Sequence, residues 1–144
     1  MKKCSFQKVF MIISTVCFML IFLCSCDSHK QIKYYSQKEN YISVTGTVSS
    51  IKYNENSTVL YVDCTELSPV LDDTCFKIVG ENLEILKTKK IDDKLTIGEQ
   101  IAFITAPKYF GDGYIMPIVA IAICGESLLD FDEGYSNLLN WLSE

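Results

Sequence analysis

The chain has 144 residues, a formal net charge of −5, thirteen lysines and no arginine, and one histidine. That length is one domain's worth. An acidic chain without clustered cations is unsuited to nucleic acid, because phosphate binding needs them. The lone histidine, His29, lies before the folded region, which removes the commonest general base from it.

The N-terminus carries Lys2, Lys3 and Lys8, then an apolar run over Val9–Cys24, then Leu23-Cys24-Ser25-Cys26. A charged start, an apolar core and small residues at the end read as a secretory signal. As a helix the run spans about 24 Å, short of the ~30 Å hydrocarbon core of a bilayer. Leu-Cys-Ser-Cys resembles the lipobox of bacterial lipoprotein precursors. That resemblance implies that residues 1–25 are removed and that the Cys26 sulfur takes a diacylglyceryl group, whose two acyl chains suffice for stable attachment. The alternatives are an uncleaved signal anchor or an ordinary cleaved signal. Cleavage leaves 119 residues, with ten lysines against eighteen acids, a net charge of −8. Lysine, isoleucine and asparagine without arginine are the usage of an AT-rich genome. The address implied is the outer face of a Gram-positive cell membrane.

Residues 26–40 follow as anchor and polar tether, since Asp27–Asn40 has few aliphatic residues and no sustained period. Tyr34 and Tyr35 either touch the lipid interface or pack on the domain. The domain is expected over 41–144. Ile42, Val44 and Val48 alternate with polar residues, and Ile51 falls on the other set. This is a first strand with a bulge or bend near Gly46. Asn54–Ser57 is a turn, Thr58–Asp63 a second strand, Cys64–Thr74 a loop, and Cys75–Val79 a third strand. Glu81–Leu86 makes a turn or two of helix, and Lys87–Asp93 is a charged loop. Gln100–Ala106 is a fourth strand, Pro107–Gly113 a turn, and Tyr114–Cys124 a fifth strand, apolar on both faces, with Pro117 at an edge or bulge. Leu128, Phe131, Tyr135, Leu138, Leu139 and Leu142 recur at helical spacing, with Trp141 beside them, and Asp130 and Glu133 have capping-box spacing. This C-terminal helix either packs on the domain or offers its apolar face to a partner.

The fold class expected is mainly β. The first strand Val44-Thr45-Gly46-Thr47-Val48, the helical spacer before strand four, and the entry Leu95-Thr96-Ile97-Gly98-Glu99-Gln100-Ile101 resemble OB-fold domains, including those of small bacterial lipoproteins. The resemblance covers about residues 41–125. It implies a small five-stranded barrel with a short inter-strand helix, to which the C-terminal helix is added. A β-sandwich or an α+β sheet is the alternative. OB domains bind on the face of strands two and three, flanked by the loops here at Asn54–Ser57 and Pro107–Gly113. The second loop holds Tyr109, Phe110, Asp112 and Tyr114, which are candidate ligand contacts or else close over the core.

Of the cysteines, Cys64, Cys75 and Cys124 stay in the domain. Cys64 and Cys75 flank one loop and are the pair best placed for a disulfide; the other reading is buried thiols. No Cys-x2-Cys occurs, so no metal or other cofactor is expected. Asp130-Phe131-Asp132 begins like a calcium loop but has Trp141 where a bidentate glutamate is needed. Asp72-Asp73, Asp92-Asp93 and Asp130/Asp132/Glu133 are paired acids that glycoside hydrolysis would need across a cleft, but in polar loops they read as solvated surface. The expectation is a non-enzymatic, membrane-anchored module that binds a cell-envelope glycan or protein. The alternatives are an assembly lipoprotein that docks a complex through its C-terminal helix and, least favoured, a glycan hydrolase.

Overall fold

The computed structural model describes residues 29–111, 114 and 116–144. Cys26 with the rest of the lipobox, and Asp112, lie outside the described residues. Residues 29–35 are helical, and a compact unit runs from Tyr35 to Glu144. Its elements are a 3-10 turn at Lys38–Asn40, strands β1 (Ile42–Tyr53), β2 (Val59–Ser68) and β3 (Cys75–Val79), helices α1 (Gly80–Thr88) and α2 (Ile91–Lys94), strands β4 (Gln100–Thr105), β5 (Met116–Ile123) and β6 (Glu126–Leu129), and helix α3 (Phe131–Ser143).

The six strands form one sheet in the order β3-β2-β1-β4-β5-β6. β3 also pairs in parallel with β5 through Phe76–Met116 and Lys77–Pro117, so β1, β2, β3, β5 and β4 close a ring of pairings. The long β1 makes this closure. Its first half, Ile42–Thr47, pairs with β4 while most of its length pairs with β2. Two bulges, between Thr45 and Thr47 and between Val48 and Ser50, bend it from one partner to the other. They also move the inward set from Val44, Gly46 and Val48 to Ile51, the slip that the sequence shows. At Gly46 a Cβ would lie 2.8 Å from Leu67 Cδ2 and 3.2 Å from Cys64 Cβ, so only glycine fits where the strands press together.

Inside the ring, Val44, Val48, Leu60, Val62, Ile78, Ile118 and Ile121 surround an edge-to-face pair, Phe76 and Phe103, with centroids 4.6 Å apart. Leu83 and Leu86 of α1 and Ile91 of α2 join that core cluster.

Four expectations differ from the structure. β2 runs on to Ser68 through half of the expected Cys64–Thr74 loop, because Thr65 and Ser68 pair with Thr47 and Thr45 of β1; these residues are largely exposed and lack the apolar alternation that marks a strand. The charged stretch after α1 contains α2. A sixth strand appears where helix was expected: Cys124 (φ +51°) and Gly125 (φ +79°) form a two-residue hairpin turn that carries the buried Leu128 and Leu129 back along β5. The capping box does not form. The Asp130 carboxylate instead accepts a bond from Ser127 Oγ at 3.0 Å, and α3 has no side-chain cap.

α3 lies against β5 and α1. Gly134 is buried against Val119 O. Asn82 of α1, itself buried, donates to Gly134 O at 2.9 Å and accepts from Asn137 at 3.0 Å. The entry segment is clasped to the same helix. Tyr41 packs edge-on against Phe131 and Tyr135, each at 5.5 Å. Tyr135 Oη donates to Ser36 O at 2.6 Å, and Lys38 pairs with Asp132 at 2.8 Å.

Candidate functional site

The ring leaves the outer face of β1, β2 and β3 in the open. Cross-strand partners point to one face, so the register builds two rows there: Ser50, Asp63 and Cys75 in one, Lys52, Tyr61 and Lys77 in the next. An open groove of about 530 Å³ lies over these rows, bounded by Asn54 and Glu55 of the β1–β2 turn and by Tyr53. The turn is held by Asn54 Oδ1, which accepts from the amides of Thr58 (2.7 Å) and Val59 (2.9 Å).

Tyr53 is fixed by its hydroxyl, which donates to Asp92 Oδ1 at 2.6 Å, and Lys87 Nζ stands 5.9 Å from its ring. Burial, then the Asp92 bond, raises its pKa to about 12. Burial and a hydrogen bond with Asp63 raise the Cys75 thiol to about 12. Both groups therefore hold their protons at neutral pH. Lys77 closes the row from below: it is buried, its Nζ lies 4.9 Å from the Tyr114 ring and 5.2 Å from that of Trp141, and burial lowers its pKa. The groove offers the Tyr61 ring, the Ser50 hydroxyl, the exposed Lys52 and the carboxylates of Asp63 and Glu55, a set suited to binding a polar ligand against a ring.

The expected contact loop does not face this groove as a unit. Tyr109 is half exposed and lines a separate depression of about 270 Å³ with Val70, Leu71, Asp72, Pro107 and Met116. Phe110 turns inward onto Tyr35, with centroids 5.6 Å apart, and Lys108 Nζ stands over its ring at 5.1 Å. Tyr114 packs on Lys77. Ser50, Lys52, Tyr61 and Asp63 were missed, although Tyr61 and Asp63 alternate with the inward Leu60, Val62 and Cys64 and so had to point outward.

The expected disulfide is absent. Cys64, Cys75 and Cys124 are free. Asp63 is the residue opposite Cys75, so its neighbour Cys64 points to the other face, into the core; burial raises that thiol to about 11. Four of the seven paired acids have structural partners. Asp73 accepts from the amides of Thr74 (2.7 Å) and Cys75 (3.1 Å), Asp92 holds Tyr53, Asp130 holds Ser127, and Asp132 holds Lys38. Among the described residues no three metal-ligating side chains gather, and no helix is long and apolar enough to cross a membrane.

No protein-family model matches the chain, and no curated protein or solved structure is similar enough to count as a match.

Proposed function

We propose that this protein is a lipid-anchored, extracytoplasmic lipoprotein whose domain is an OB-like barrel. It acts as a non-enzymatic binding module for a cell-envelope glycan or protein. The observation that carries this reading is the groove on the outer face of β1–β3, walled by the β1–β2 turn, in a ring whose strand order and parallel β3–β5 closure are those of an OB barrel. Ligand rests against Tyr61, with Lys52 and Asp63 supplying charge and Ser50 a hydroxyl. The structural roles of Asp73, Asp92, Asp130 and Asp132 speak against the hydrolase. Docking through the C-terminal helix has no observation in its favour, because Gly134 and Leu138 of its buried face are used within the domain.

Crosslinking and pulldown from membranes tests this. A Tyr61→Ala, Lys52→Ala double variant loses the partner that the parent captures, with an unchanged melting temperature. Capture at parental yield by that variant would place the ligand elsewhere. The address is tested separately: Cys26→Ser leaves the membrane fraction and loses the diacylglyceryl mass, and a variant identical to the parent in both refutes the anchor.

A further inference from the structure

Among the described residues, three large apolar side chains stand well exposed: Val70 (88%), Ile97 (70%) and Tyr109 (50%). Two of them, Val70 and Tyr109, share the depression floored by Leu71, Pro107 and Met116. The third is elsewhere. Ile97 precedes β4, whereas Pro107 follows it, so the six residues of that strand put about 20 Å between them.

The loop that carries Tyr109 is also where the chain enters the domain. Tyr35, the first residue of the compact unit, is buried at 2% exposure; its ring meets Phe110 at 5.6 Å and its hydroxyl donates to the Lys108 carbonyl at 3.2 Å. Tyr41 Oη donates to Tyr35 O at 2.8 Å and fixes the entry from the other side. Only nine residue steps separate Tyr35 from Cys26. Fully extended they reach about 30 Å, and with residues 29–35 helical the reach falls to about 20 Å.

We propose that Val70 and Tyr109 form a contact surface for the lipid bilayer in which the chain is anchored. This rests on the acylated-Cys26 reading above. A tether so short, ending on the loop that bears the patch, keeps these two side chains within reach of the bilayer. The chemistry fits a headgroup boundary, where tyrosine places an apolar ring and a polar tip. The contact is apolar rather than electrostatic. Asp72 stands on the patch, and the Asp73 carboxylate is turned back onto the Thr74 and Cys75 amides. The contact is therefore expected to persist when salt is raised, unlike that of a polybasic segment.

The test uses the full-length acylated protein reconstituted in phosphatidylglycerol vesicles with brominated acyl chains. Tyr109→Trp puts an indole on the patch, Ile97→Trp puts one at the other end of β4, and the parent with Trp141 gives the background. Bromolipid lowers the added emission of Tyr109→Trp, at low and high salt alike, and leaves that of Ile97→Trp unchanged. Equal quenching at both positions, or none at 109, overturns the contact; if the protein still carries its diacylglyceryl mass and floats with the vesicles, the anchor survives that failure. A protein that lacks the mass overturns the anchor and the contact together. Emission from Tyr109→Trp that shifts to the blue only when membrane proteins are added assigns the patch to a protein and overturns the lipid contact.

Discussion

Gly134→Ala decides whether α3 is an integral part of the domain or a loosely attached arm. In an isolated helix the change would be favourable by about 1 kcal/mol, because alanine has the better propensity. Here the new Cβ would lie 1.9 Å from Val119 O, 2.8 Å from Val119 C and 3.0 Å from Leu129 Cδ2. Ordinary contact begins at 3.4 Å, so helix and strand must part by about 1.5 Å, and overpacking of this kind costs about 1–3 kcal/mol. The same shift pulls Gly134 O from the buried Asn82 amide, and a buried donor left without its acceptor costs a further ~1–3 kcal/mol. Set against the propensity gain, the net loss is about 3 kcal/mol. For a unit of this size that lowers the melting temperature by about 10–15 °C. Urea unfolding followed by circular dichroism gives the free energy directly. A variant as stable as the parent, or more so, would mean that propensity wins, that α3 is loosely docked, and that the partner-helix reading has to be reopened.

The thiols give a second test: Ellman's reagent modifies the exposed Cys124 first and Cys75 more slowly, while the fully buried Cys64 reacts only after denaturation. A denatured, unreduced domain that yields one thiol instead of three would restore the disulfide. Tyr53 makes a pH prediction with a defined sign. Unfolded, it ionises near 10.0, and folded near about 12. Its stabilising contribution is therefore complete below pH 10 and is lost as pH rises through that window, where the unfolded chain has released a proton that the folded one keeps. Cys64 and Cys75 titrate late for the same reason, so the measurement is the difference between parent and Tyr53→Phe. The parent's urea midpoint falls more than the variant's between about pH 9 and about pH 11, and parallel curves would refute the Tyr53–Asp92 assignment.

Where burial on one face imposes a period of two, the sequence was legible. β3 has the bounds expected of it, β4 and β5 differ from expectation by one or two residues, and the slip from Val48 to Ile51 marked the β1 bulge. Legibility failed where strands pair without burying much. Thr65–Ser68 belongs to β2 through its ladder with β1, and an exposed polar ladder has no hydrophobic pattern to reveal it. β6 was hidden for a different reason. Leu128 falls in helical phase with Phe131 and Tyr135, and the turn before it uses Cys124 at positive φ, a position that Asn or Asp usually marks. The groove suffered from this too. Tyr61 and Asp63 were readable as outward, but Cys75 joins them only through the β2–β3 register, a long-range fact that no local window holds. The same register separates Cys75 from Cys64, although their spacing in sequence suggested a staple.

The N-terminal segment shows how position decides the role of a composition. Tyr35, Lys38 and Tyr41 lie in a stretch poor in aliphatic residues, and local pattern gives them no element to join. The structure supplies partners from far along the chain: Phe110 and Lys108 for Tyr35, Asp132 for Lys38, and Phe131 and Tyr135 for Tyr41. The exposed Lys38–Asp132 pair adds little by itself, but each aromatic pair contributes about 0.5–1.5 kcal/mol beyond its buried area, and Tyr135 and Tyr41 also tie backbone carbonyls on the entry segment. Entry segment, C-terminal helix and β4–β5 loop are thereby joined to one another. These contacts tie residues 35–41 to the rest of the compact unit. Under the proposed lipoprotein reading, an anchor at Cys26 then joins the domain on the side of Phe110 and Tyr109, away from the groove's Tyr61 only as far as the proposed lipid contact holds.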